Sequence, residues 1–131
     1  MLVNTISELF YCGHTQTTPD FSAPVNPRTR SYETLKDLVA DSTPLPNLCL
    51  TCTCTQVLSI SDPRMVPRSS IRDLNAHVNL LERRASSNMR RELRSLADQI
   101  RRTYAAHNSL KFHRAVIALA GYLEVCAWFS P

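Results

Sequence analysis

Glycine is nearly absent: Gly13 and Gly121 are the only two in 131 residues. A phosphate-cradling loop or a dinucleotide fingerprint needs at least two closely spaced glycines, so both are excluded. No G-x-S-x-G elbow and no H-E-x-x-H pair occurs, which removes two further enzyme signatures. Basic residues are missing before Arg28. A secretory leader needs a basic start and a mitochondrial presequence needs early arginine, so neither is expected. The most apolar stretch, 115–131, contains Glu124 and falls short of the roughly 20 apolar residues of a bilayer span. Five cysteines are an odd number, and with no export signal a reducing compartment, cytoplasmic or nuclear, is expected.

What is present suits one folded domain. Apolar residues make up 44% and charged residues 20%, a balance that disfavours general disorder. The chain divides at residue 67. Residues 1–67 hold seven of eight prolines and all cysteines but Cys126; residues 68–130 hold no proline. In the first part, Ile6–Thr15 reads as a strand entering a turn at Gly13, residues 16–31 as loop, and Tyr32–Ala40 as a short helix. Cys49–Ile60 alternates and is rich in Thr, Val and Ile, which predicts a strand or hairpin.

The second part is helical. Ser70 followed by Asp73 resembles a capping box. Apolar residues recur at Ile71, Leu74, Val78, Leu81, Ala85, Met89, Leu93, Leu96, Ile100 and Tyr104, always three or four apart. That stripe predicts one helix of about 35 residues, with Ser86, Ser87 and Asn88 marking a bend. Asn108 suits a left-handed helix end and Ser109 a cap for a second helix, 110–129. The expected architecture is mainly α: a small β module at 1–67, packed on a long antiparallel helical hairpin at 68–131. A homodimer through the hairpin would cover surplus apolar stripe.

Two cysteine-containing pairs carry chemistry. Cys12-Gly13-His14 is followed, after 34 residues, by Cys49-Leu50-Thr51-Cys52. Structural zinc takes four Cys or His ligands in a tetrahedron, and these four supply the set without remainder. The alternative is ordinary buried cysteines with a surface histidine. Cys54 competes with its neighbours for a place in the set. No Asp or Glu adjoins either pair, and four strong ligands leave no open position for water, so one zinc with a structural role is expected.

The spacing resembles half of a RING finger, in which a C-x-H pair and a later C-x-x-C pair bind the second of two zincs. Cys12, His14, Cys49 and Cys52 match those positions. The C-x-x-C that follows the histidine in that family is absent, since His14 is followed by TQTTPDF, and ligase activity is not carried over. The chain is also similar to small zinc-binding proteins of filamentous fungi. Those begin with a strand ending in a motif like Tyr11-Cys12-Gly13-His14-Thr15, then a C-x-x-C turn and helices. That resemblance implies zinc binding and no known activity.

Charge is uneven. Residues 68–114 hold eleven basic and four acidic side chains. At 100° per residue, Arg72, Arg83, Arg90, Arg94 and Arg101 fall within about 40° of one another. Arg84, Arg91 and Arg102 form an adjoining row. On one straight helix this is a basic rail, suited to nucleic acid or an acidic protein, or simply a solvated face. Asp98 lies four residues from both Arg94 and Arg102, which pairs part of the charge. Aromatic residues do not interleave with the arginines, so base stacking is not indicated. Cys126 and His113 fall about 220° apart on a helix and make no nucleophile pair. The sequence therefore points to a non-enzymatic, zinc-stabilised binding or adaptor module. The alternatives are an enzyme using the zinc or the Cys54 thiol, and a structural subunit of a complex.

Overall fold

A computed structural model describes residues 4–21 and 44–122. Strands β1 (Asn4–Leu9) and β2 (Thr15–Asp20) form an antiparallel hairpin, with Ile6 opposite Thr18 and Leu9 opposite Thr15. Gly13 closes the turn at φ +84°, a left-handed conformation that glycine adopts without steric cost. The expected strand thus stops at Leu9, and the first residues of the expected loop are β2. Threonine favours strands, but the inward residues of β2 are the polar Gln16 and Thr18, so no apolar alternation announced it.

The expected strand at Cys49–Ile60 is instead a helix, α1 (Leu50–Leu58). Leu50, Thr53, Cys54 and Val57 are its buried residues, a helical spacing. Its threonines fit because their hydroxyls bond backwards. Thr53 donates to the Cys49 carbonyl at 2.9 Å and Thr55 to the Thr51 carbonyl at 2.8 Å.

Three further helices follow: α2 (Arg68–Arg84), α3 (Ser87–Ala105) and α4 (Ser109–Ala120). The single long helix of the sequence pattern is broken, not bent. Ala85 and Ser86 are extended, and the Ser86 side chain accepts the Met89 N–H to start α3. The chain doubles back, so the stripe closes on itself: Leu74, Val78 and Leu81 of α2 share one core with Leu93, Ala97 and Ile100 of α3. α1 packs on α2 and α4, and α3 packs on α2 and α4. These residues of the stripe are buried within one chain.

Helix ends differ from expectation by small shifts. α2 begins at Arg68 after Pro67, without a side-chain cap, so Ser70 and Asp73 do not mark its start. His107, not Asn108, takes the left-handed conformation at φ 55°. Asn108 instead caps α4 by accepting the Lys111 N–H at 3.2 Å. The expected helix at 32–40 and the last helix beyond 122 lie outside the described residues.

The β hairpin is fastened to α2 by Arg84. Its Nη1 donates to Glu8 Oε1 at 2.7 Å and to Thr18 Oγ1 at 2.8 Å, with the arginine side chain only 13% exposed. Its carbonyl accepts the Phe21 N–H at 2.7 Å. Removing one partner of a shielded ion pair strands the other. Thermal unfolding of Arg84→Ala should show a loss of about 2 kcal/mol. The exposed neighbour Arg83→Ala should change stability by less than about 0.5 kcal/mol.

Candidate metal centre

The turn of the β hairpin and the first turn of α1 meet edge to edge. The Phe10 N–H bonds the His14 carbonyl at 3.0 Å, and the Gly13 N–H bonds the Phe10 carbonyl at 2.9 Å. This tight turn presents Cys12 and His14 together. The strand end is tied to the segment before α1: the Leu45 N–H donates to the Leu9 carbonyl at 2.9 Å, and the Tyr11 N–H to the Asn47 carbonyl at 3.0 Å. Cys49 is the N-cap of α1 and Cys52 lies in its first turn.

The ligand atoms of Cys12, His14, Cys49 and Cys52 all lie within 4.8 Å of one another. His14 Nδ1 stands 3.2 Å from Cys52 Sγ and 3.7 Å from Cys49 Sγ. Tetrahedral zinc bonds predict S···N edges near ~3.6 Å and S···S edges near ~3.8 Å. The cluster is therefore close to the size such an ion requires, and it can hold a metal ion. It contains three sulfurs and one imidazole and no carboxylate.

Backbone amides converge on the sulfurs. The Cys49 N–H donates to Cys12 Sγ at 3.4 Å, and the Cys52 N–H to Cys49 Sγ at 3.4 Å. The N-terminal end of α1 adds positive potential where thiolates would gather. Without a metal, Cys12 and Cys52 are shifted in opposite directions. Burial opposes ionisation of Cys12, but N–H groups and neighbouring thiols donate to it and bring it down to about 6. Cys52, hydrogen-bonded to Cys49 and facing two other sulfurs, is pushed up to about 12.

Cys54 is not part of this set. It is 1% exposed in the core, and burial, with a smaller contribution from neighbouring Cys49, pushes its thiol up to about 12. A reactive cysteine needs a lowered pKa and access to solvent, and Cys54 has neither.

Three residues that the sequence did not single out hold the α1 end of the site. Gln16 Oε1 accepts the Leu50 N–H at 2.8 Å. His77, buried against the Phe10 ring, donates from Nε2 to the Leu48 carbonyl at 2.9 Å. Burial lowers the pKa of His77, against the pull of that carbonyl, which keeps it neutral with its proton on Nε2. Thr53 anchors the Cys49 carbonyl. Nothing in their spacing signals this, because each acts across 29 or more residues or through a hydroxyl common in any helix.

The arginines do not form a straight rail, because the helix that would carry it turns back at Ala85. Arg84 points into the fold. Arg90 donates to the Glu82 carbonyl at 3.2 Å, and Arg94 faces Glu82 at 3.8 Å. Asp98 pairs with Arg102 as the spacing indicates, and also with Arg101, but not with Arg94. Arg72, Arg83, Arg91, Arg94, Arg101 and Arg102 are exposed.

Thiol chemistry separates the cysteines. On the metal-free chain, while circular dichroism remains helical, iodoacetamide near pH 7 should label Cys12 first and Cys54 last. Peptide mass spectrometry reads the order, and early labelling of Cys54 would contradict the placement given above. No protein-family model, curated protein or solved structure matches the chain.

Proposed function

We propose that the chain is a non-enzymatic binding module whose β hairpin is stapled to its helices by one structural zinc ion, held by Cys12, His14, Cys49 and Cys52. The observation that carries this is the convergence of three sulfurs and one imidazole nitrogen within 4.8 Å. Three thiolates and a neutral imidazole suit zinc in a reducing compartment better than harder ions, which prefer oxygen. Four such ligands fill a tetrahedral shell, leaving no position for a reactive water. The ion would supply fixed geometry, closing a loop that spans 37 residues from Cys12 to Cys49, and long loops gain most from such a closure. The contact surface is the exposed arginine set of α2 and α3, whose positive field would draw an acidic partner.

Elemental analysis of the purified chain should find about one zinc per molecule. Cys12→Ser and Cys52→Ser should each lose it and melt at lower temperature. Cys54→Ser should keep it. A metal-free wild-type chain, or a full zinc complement in Cys52→Ser, would overturn the assignment.

A further inference from the structure

The three sulfurs of the cluster are not equally shielded. Cys12 and Cys52 are partly exposed, and Cys49 is buried. Amide donors set them further apart. Cys12 Sγ accepts the N–H groups of Cys49 and His14, and Cys49 Sγ accepts that of Cys52. Cys52 Sγ has no backbone donor among the described residues; it faces the other two sulfurs and His14 Nδ1. Hydrogen bonds stabilise a thiolate and lower its nucleophilicity. With all three sulfurs held as thiolates by one ion, Cys52 is the one that is both reachable and free of such donors. Its neighbour is already in place. Cys49 is the N-cap of α1 and Cys52 lies in the first turn, where residues three apart stand side by side. A disulfide between them needs no movement of one element past another, whereas a bridge to Cys12 would join the hairpin to α1.

We propose that the cluster is a peroxide-sensitive clasp, in which Cys52 is oxidised first, Cys49 closes a disulfide with it, and the turn carrying Cys12 and His14 is released from α1. This rests on the zinc reading of the same cluster and adds its regulation. Cys52 Sγ attacks one peroxide oxygen, the O–O bond breaks, and the departing hydroxide takes a proton from solvent to leave as water. The Cys49 thiolate then attacks the sulfenic sulfur. The S–S bond forms, the S–O bond breaks, and the second hydroxide takes a proton and leaves as water. Two thiolates thus give two electrons to one peroxide, which becomes two waters. Cys12 and His14 remain, too few for a tetrahedral site, and the ion is lost. The strands stay attached, because Arg84 still holds Glu8 and Thr18 to the end of α2. Cys54, 1% exposed, takes no part. In a reducing compartment such a disulfide is transient, so the clasp closes again.

The test uses the full zinc-loaded chain, its metal content measured first. Hydrogen peroxide is added at neutral pH beside a chromogenic zinc chelator. Free thiols are then blocked with one alkylating reagent in denaturant, reduced, and labelled with a second. About one zinc per chain should be released, with the second label on Cys49 and Cys52 and the first on Cys12 and Cys54. Hydrogen exchange should show the Tyr11 N–H, which bonds the Asn47 carbonyl, losing protection while residues 74–100 keep theirs. A thiol reductant with added zinc should restore both. Zinc release with Cys12 in the bridge, or with no disulfide at all, overturns the proposal. So does a zinc-free, oxidised chain whose Tyr11 N–H stays protected. A chain that carries no zinc before peroxide is added fails the metal assignment; a loaded chain that keeps its zinc and its thiols fails the clasp alone.

Discussion

Two segments separated by 34 residues must bring four donor atoms within bonding reach of one point, and that requirement shapes everything around it. It demands a turn tight enough to show Cys12 and His14 on one side, which Gly13 provides by entering the left-handed region. It also demands that Cys49 and Cys52 start a helix, so that one turn of backbone points both sulfurs at the hairpin. The helix then has its N-terminus at the ligand cluster and its apolar face, Leu50, Cys54 and Val57, in the core. The site and the core share α1, and neither can shift without the other.

The polar contacts around the cluster follow from the same constraint. A surface site with short flanking segments needs its backbone held from behind. Gln16, His77 and Thr53 do so by bonding to Leu50, Leu48 and Cys49 in turn. Arg84 performs the equivalent task at the far side of the hairpin, joining Glu8 and Thr18 to the end of α2. The hairpin is thereby fixed at two places, one with thiols and one with charge.

The Cys12, His14, Cys49 and Cys52 cluster is legible because metal chemistry restricts residue type and spacing, whereas only burial in the core sets Cys54 apart. The helical stripe was legible as well, since Leu74 to Ile100 keeps a three-or-four step. Its break was not. Apolar periodicity is the same whether a helix continues into solvent or folds back on itself; Ser86 hints at a bend, but the reversal depends on Leu81 and Leu93 entering one shared core. The Cys49–Ile60 segment misled for a different reason: β-branched residues with alternating polarity look extended, and only backward hydrogen bonds from Thr53 and Thr55 reconcile them with a helix. The consequence for function is that arginines aligned on paper are divided between two antiparallel helices, with Arg84 drawn inside.

The most direct test of the central claim is X-ray absorption at the zinc edge of the intact chain. Three sulfurs at about 2.3 Å and one nitrogen at about 2.0 Å are the predicted neighbours of the ion. A shell of oxygens, or fewer than three sulfurs, would contradict a centre built from Cys12, His14, Cys49 and Cys52.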